Sequence, residues 1–171
     1  MLVEQAALLR RQNDEPLATI NIIQEKLRFI EKESAQSRKG QFHIKTYPDR
    51  QFVHVGEELN LFTHELFYFY PTVGFYENGQ KWFGAYLFEE GESVPNIHES
   101  AKIDIIPGGA YLCGYHYGNY QTIQDSIHAL YEYGKGQALD SCVVTLNIID
   151  QFVEGHPANY ITALEARILT P

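Results

Sequence analysis

Apolar positions recur at helical spacing through the first 38 residues of the chain and then switch to alternation. Leu2, Ala6 and Leu9 share one helical face. Asn13-Asp14-Glu15-Pro16 predicts an interruption after them. Asn13 or Asp14 would cap a second helix, with Pro16 in its first turn, where a missing N–H leaves no bond unmade. That second helix carries Ile20, Ile23, Leu27 and Ile30, a two-heptad apolar seam surrounded by Glu25, Lys26, Arg28, Glu31 and Lys32. A seam this narrow, ringed by charge, predicts a helical dimerisation segment over residues 1–38; packing on its own domain is the alternative. Ser37-Arg38-Lys39-Gly40 ends the pattern as a short linker.

Residues 41–171 read as one further domain. Phe42 to Lys45 and Gln51 to Val55 alternate as strands around a Tyr47-Pro48-Asp49-Arg50 turn. A helix is predicted from about Glu57 to Tyr70, broken by Pro71, Gly74 and Asn78-Gly79. An aromatic strand then runs from Lys81 to Phe88, and a polar loop from Glu89 to Ser100. The order then recurs: Lys102 to Ile106, a Pro107-Gly108-Gly109 turn, Ala110 to Tyr117, and a helix from about Tyr120 to Tyr133 stopped by Gly134. Two strands finish the chain, Cys142 to Ile149 and Tyr160 to Leu169. Pro48 matches Pro107, Phe52 matches Tyr111, and Gly56 matches Gly118. The expectation is an α+β fold: two related strand–strand–helix–strand halves forming an antiparallel sheet with helices on one face. A cleft between such halves is a natural place for a ligand.

Composition narrows the function. The 171 residues hold 13 Lys and Arg against 22 Asp and Glu, a formal charge of −9. Binding a nucleic-acid backbone or an anionic membrane surface takes surplus cations, so both are disfavoured. Two cysteines do not make a disulfide scaffold, and no segment approaches the apolar length of a membrane helix. A cytoplasmic location is expected. Aromatic content is the unusual figure: 12 Tyr, 10 Phe and 1 Trp, ten of them between Phe67 and Phe88. Tyrosine buries a large apolar body and leaves a hydroxyl needing a partner, which suits a pocket with polar handles and equally a Tyr-rich core or interface.

Catalytic and metal signatures are absent: no His-Glu-x-x-His, no Gly-x-Ser-x-Gly, no phosphate loop and no Cys-x-x-Cys. No cofactor or metal is expected. The seven histidines form no tight ligand pair; His54 and His116 could face one another across the repeat, but read better as ordinary strand residues. Cys113 reads as core. From Cys142 to Ile149 one strand face (Cys142, Val144, Leu146, Ile148) is uniformly apolar. The other places Thr145 and Asn147 side by side. The apolar face is expected to pack on the helices, turning Thr145 and Asn147 toward the opposite side or a cleft.

Ile106-Pro107-Gly108-Gly109-Ala110-Tyr111, Gly118-Asn119-Tyr120, the amphipathic helix after them, a strand ending in Asp150 and a last strand opening at Tyr160 resemble the GyrI-like effector-binding domain. That domain is the ligand sensor of MerR-type and AraC-type transcription regulators, and the resemblance spans about residues 42–169. It implies that the N-terminal helix pairs antiparallel with a second copy. It also implies that DNA is reached only through a helix-turn-helix absent here, making this chain a fragment or a headless homologue. In multidrug-binding members, aromatic side chains stack on the ligand around a buried acid. By position, the aromatics fall on Phe83, Tyr120 and Tyr160, with Phe62 as a helix aromatic, and the acid falls on Thr145. The resemblance therefore implies a neutral, flat or partly polar ligand held by Thr145 and Asn147, unless Glu65 replaces the acid. The expected role is effector sensing by a non-enzymatic module, with a small hydrolase or a protein-binding inhibitor as alternatives.

Overall fold

The computed structural model describes residues 2–56, 65–88 and 101–169, with side chains from Pro16 onward. Helix α1 runs unbroken over Leu2–Gln36, so the predicted interruption at Asn13-Asp14-Glu15-Pro16 does not occur. A proline inside a helix removes one backbone hydrogen bond and crowds the preceding turn. The helix-forming Ala, Leu, Arg and Gln before Pro16 carry the helix through it.

Strands β1 (His43–Tyr47) and β2 (Arg50–Gly56) follow, then the short helix α2 (Leu66–Phe69). Next come β3 (Thr72–Glu77), β4 (Gln80–Tyr86), β5 (Ile103–Ile106) and β6 (Gly109–Tyr117). A single 3-10 turn over Tyr120–Thr122 leads into α3 (Ile123–Tyr133), and β7 (Leu139–Ile149) and β8 (Ile161–Ile168) close the chain. The helix predicted over 57–70 and the loop predicted over 89–100 lie largely outside the described residues. Strand β3 runs against expectation. Its Gly74 and the Asn78-Gly79 pair read as breakers, yet Asn78 and Gly79 (φ 49° and 79°) form the tight turn of a β3–β4 hairpin.

All eight strands form one antiparallel sheet in the order β1-β6-β8-β7-β3-β4-β2-β5. The order is symmetric about the β7–β3 pair. Each half contributes β2-β3-β4 or its counterpart β6-β7-β8, and each half's leading strand crosses over: β1 pairs with β6, and β5 with β2. The matched glycines Gly56 and Gly118 both leave their strands at positive φ, 120° and 108°. The two turns also meet, with the Gly108 N–H donating to Asp49 Oδ1 at 2.6 Å. Only Pro48 and Asp49 separate β1 at one sheet edge from β2 near the other, so the sheet curls and gains an inner and an outer face.

The inner face buries Phe52, Val73, Phe75, Tyr111, Val144, Leu146 and Ile148, with Phe29 of α1 packed against them. The outer face carries α2 over Val53, Phe83 and Ala85, and α3 over Leu112, Val143, Leu164 and Ala166. The apolar face of β7 therefore looks inward, and Thr145 and Asn147 lie on the face that bears α2 and α3. This corrects the expectation that the apolar face packs on those helices. The curl supplies the reason, because it lets the strands bury one another's apolar side chains inside.

Helix α1 docks through Ile22, Lys26 and Phe29, and just past its end the Ser37 Oγ accepts from the Tyr117 hydroxyl at 2.7 Å. The seam predicted for pairing lies on a neighbouring face. Ile20, Ile23 and Leu27 remain 49%, 41% and 54% exposed.

Candidate functional site

Register decides which side chains meet on the outer face. Gly74 stands opposite both Phe83 on β4 and Thr145 on β7. A Cβ at Gly74 would fall 2.5 Å from Thr145 Oγ1 and 3.1 Å from Phe83 Cε1, so those two side chains lean together over the bare glycine. Two residues further along β7, Asn147 is opposite Thr162. Its Oδ1 accepts from Thr162 Oγ1 at 3.3 Å, and its Nδ2 donates to the Tyr120 hydroxyl at 3.1 Å. Tyr120 in turn donates to Gln151 Oε1 at 3.1 Å.

Tyr160 reaches the same place from the start of β8. The Gly118 N–H donates to the Tyr160 carbonyl, which brings the two loops together and sets the Tyr120 and Tyr160 rings 5.5 Å apart. Thus Tyr120, Asn147 and Tyr160 form one cluster, and Phe83 and Thr145 an adjoining one. Phe62 lies outside the described residues. Thr145, Phe83 and Tyr160 are buried, whereas Tyr120 and Asn147 are half-buried and give the cluster its reach toward solvent. What is assembled is an aromatic wall with a chain of neutral donors and acceptors. Such a set can orient a flat molecule by hydrogen bonds without requiring it to carry charge.

Electrostatics around the cluster come from residues that sequence reasoning did not select. Asp150, 2% exposed at the end of β7, has its carboxyl pKa raised by burial, an effect partly offset by Lys26. Lys26 of α1 is itself buried, which lowers its pKa against the pull of Asp150. Its Nζ donates to the Phe67 carbonyl at 2.7 Å and the Tyr68 carbonyl at 3.2 Å. Burial first, and the Asp150 carboxylate second, push the Tyr120 hydroxyl pKa up, so Tyr120 stays protonated and both donates and accepts. Glu65, considered as a replacement acid, is exposed at the start of α2; the buried acid beside Tyr120 is Asp150.

The two histidines do not face each other. His54 is exposed on β2, while His116 is buried beneath α3, with Nδ1 2.9 Å from Ser126 Oγ and Nε2 2.7 Å from the Asn119 carbonyl. Cys113 is buried, as expected, and burial pushes its thiol pKa up to about 12. Among the described residues no group of three or more His, Cys, Asp or Glu is placed to hold a metal ion, and no helix is long and apolar enough to cross a membrane.

No family model matches the chain. No curated protein matches it. Solved structures do. The chain is similar to EcmrR in its complex with DNA, with a TM-score of 0.56, 12% identity, and coverage of 98% of this chain and 72% of that one. It is similar to a hydrolase from Listeria innocua at a TM-score of 0.55 and 12% identity, covering 81% of this chain and 97% of that one. SAV2435 bound to tetraphenylphosphonium gives a TM-score of 0.50 and 9% identity, with 75% and 94% covered.

Proposed function

We propose that this chain, which has the GyrI-like effector-binding fold, senses a small aromatic or hydrophobic effector on behalf of a MerR-type transcription regulator. The observation that carries the reading is the convergence of Tyr120, Asn147 and Tyr160, from three separate elements, into one aromatic cluster with an internal chain of hydrogen bonds. Phe83 and Thr145 extend it across Gly74. Because Thr145 stands where cation-binding members have an acid, the favoured effector is neutral or partly polar.

The exposed seam of α1 supports pairing of two copies. Ile23 and Leu27, two exposed residues of that seam, together would contribute at most about 3–6 kcal/mol if covered by a partner helix, at roughly 1.5–3 kcal/mol per side chain. Effector binding then acts on DNA-bound segments only as far as it favours one arrangement of that dimer over another. The likeness to EcmrR extends over nearly the whole chain, α1 included, which fits this division of labour.

A matched pair of probes tests the reading: tetraphenylphosphonium and neutral triphenylphosphine oxide, titrated against the wild type, Tyr160→Ala and Thr145→Glu. The wild type is expected to prefer the neutral probe. Tyr160→Ala weakens both probes about fivefold or more, a stacking loss on the order of 1 kcal/mol. Thr145→Glu reverses the preference, more strongly at alkaline pH, because a carboxylate in an apolar cleft has a raised pKa. Equal shifts for both probes, or none, would remove Thr145 from the site. Hydrolysis of an ester panel by the wild type would favour the reading suggested by the Listeria innocua hydrolase.

A further inference from the structure

The inner face holds a second polar cluster, independent of the outer-face site. Arg50, the first residue of β2, is 8% exposed and sends Nη2 to Glu165 Oε2 at 2.7 Å. The Glu165 side chain is 3% exposed. The guanidinium carbon lies 3.9 Å from the centre of the Tyr47 ring and 5.3 Å from that of Tyr111. The Tyr86 hydroxyl faces the same group. Strand exchange builds this arrangement: Tyr47 and Tyr111 come from paired strands β1 and β6, Glu165 from β8 beside them, and Arg50 enters across the Pro48-Asp49 turn.

A buried carboxylate, two aromatic faces and a phenol hydroxyl are the parts from which proteins build recognition of organic cations. Here one side chain of the chain itself fills them. The fit is incomplete, since only Nη2 pairs with the carboxylate and the buried Nε of Arg50 has no hydrogen-bond partner. A guanidinium shaped to this space would use two parallel bonds to the carboxylate, the arrangement favoured wherever geometry allows it. Burial opposes the charge on Arg50, yet the Glu165 carboxylate more than restores it, so the pKa lies above the ordinary arginine value and the occupant is held as a cation.

We propose that the inner face carries a recognition site for small guanidinium-type cations whose resident occupant is Arg50, so that this one side chain keeps the site closed to cations from solution. The consequence is a division between the faces: external ligands meet the neutral outer cluster, and the inner site built for a cation is self-occupied. Withdrawing the Arg50 side chain leaves Glu165 buried beside a vacated aromatic cage and exposes the site's chemistry directly.

The experiment is thermal melting of the wild type, Arg50→Ala and the double variant Arg50→Ala/Glu165→Gln, each with methylguanidinium chloride or with the neutral, similarly shaped methylurea. Methylguanidinium is expected to raise the melting temperature of Arg50→Ala by about 3–6 °C at ten times its dissociation constant. Methylurea leaves that variant unmoved, and neither compound raises the wild type or the double variant. A response of Arg50→Ala no larger than that of the wild type, or equal for both compounds, overturns the proposal. Should Arg50→Ala be recovered only from inclusion bodies, refolding yield replaces melting. Folded protein obtained with methylguanidinium and not with methylurea supports the site, and equal yields overturn it. The outer-face reading does not enter any of these outcomes, because none of the outer residues is altered.

Discussion

On the inner face of the sheet the buried polar groups are a full charge pair, Arg50 with Glu165, packed between tyrosine rings. On the outer face the cluster's own polar side chains are neutral and linked in series, Thr162 to Asn147 to Tyr120 to Gln151, with the buried charges of Asp150 and Lys26 beside them. The two clusters share strand β8, since Glu165 and Thr162 project from opposite sides of it. A charge pair in a low-dielectric interior is hard to alter: removing either partner strands the other, and the surroundings have little freedom to compensate. A neutral chain ending in half-buried Gln151 can exchange one partner for a ligand atom at small cost. The comparison teaches where responsiveness resides in this fold. The inner face fixes the architecture, and the outer face remains negotiable.

The sharpest way to break that contrast is to injure both faces in matched fashion. Glu165→Gln keeps the shape and removes the charge, leaving Arg50 buried without its counter-ion, and is expected to cost about 3–5 kcal/mol. Asn147→Leu on the outer face removes the central link and leaves the Thr162 and Tyr120 hydroxyls one partner short. It is expected to cost about 1–3 kcal/mol. Urea unfolding of both variants measures the difference directly. Equal losses would mean that the outer chain is held as rigidly as the inner pair, and that a ligand has no easy partner to displace.

Much of the architecture was legible because it depends on local pattern. Proline and glycine positions in the two halves announced the repeat, and the apolar spacing of Ile123, Ile127 and Leu130 gave α3. Two elements depart from their local pattern for a shared reason: a breaker residue does not always break. Pro16 sits inside a continuous α1, and Gly74 of β3 and the Asn78-Gly79 turn after it serve a hairpin whose Asn-Gly pair was itself the turn signal.

For the outer cluster, the family resemblance singled out Tyr120 and Tyr160 and strand alternation singled out Asn147, and the structure sets these three side chains side by side. The inner pair could not be anticipated in the same way. Arg50 and Glu165 are 115 positions apart, and they meet only because leading strands are exchanged between the halves. The one local hint was Glu165 itself, a lone charge within Ala163-Leu164-Glu165-Ala166. Lys26 offered no hint at all, being one charge among several on a solvated-looking helix until docking buried it.

Lys26 also joins the two regions, because α1 packs against the inner face through Phe29 and meets Asp150, beside the outer cluster, through Lys26. Burial is the main influence on both charges of this pair, and each charge partly offsets it for the other. The signs follow. With a folded-state pKa above the unfolded 3.8, Asp150 contributes stability that is fully present below that unfolded value and is lost as pH rises through the folded one. Lys26, with a folded pKa below 10.5, contributes stability present above that value and lost as pH falls through its folded pKa. Replacing Lys26 with Met deletes the second contribution and leaves burial of Asp150 opposed by the Phe152 N–H bond but no longer by a nearby cation, so the Asp150 pKa climbs further. The Lys26→Met variant is therefore expected to lose stability relative to wild type as pH rises from about 4 to about 7, with a slope of at most about 1.4 kcal/mol per pH unit where one proton is released. Adding Asp150→Asn should flatten that slope. Urea midpoints collected across the pH series decide the matter: parallel curves for wild type and Lys26→Met would show that the ammonium of α1 does not govern Asp150, and the helix would then have no electrostatic tie to the outer cluster.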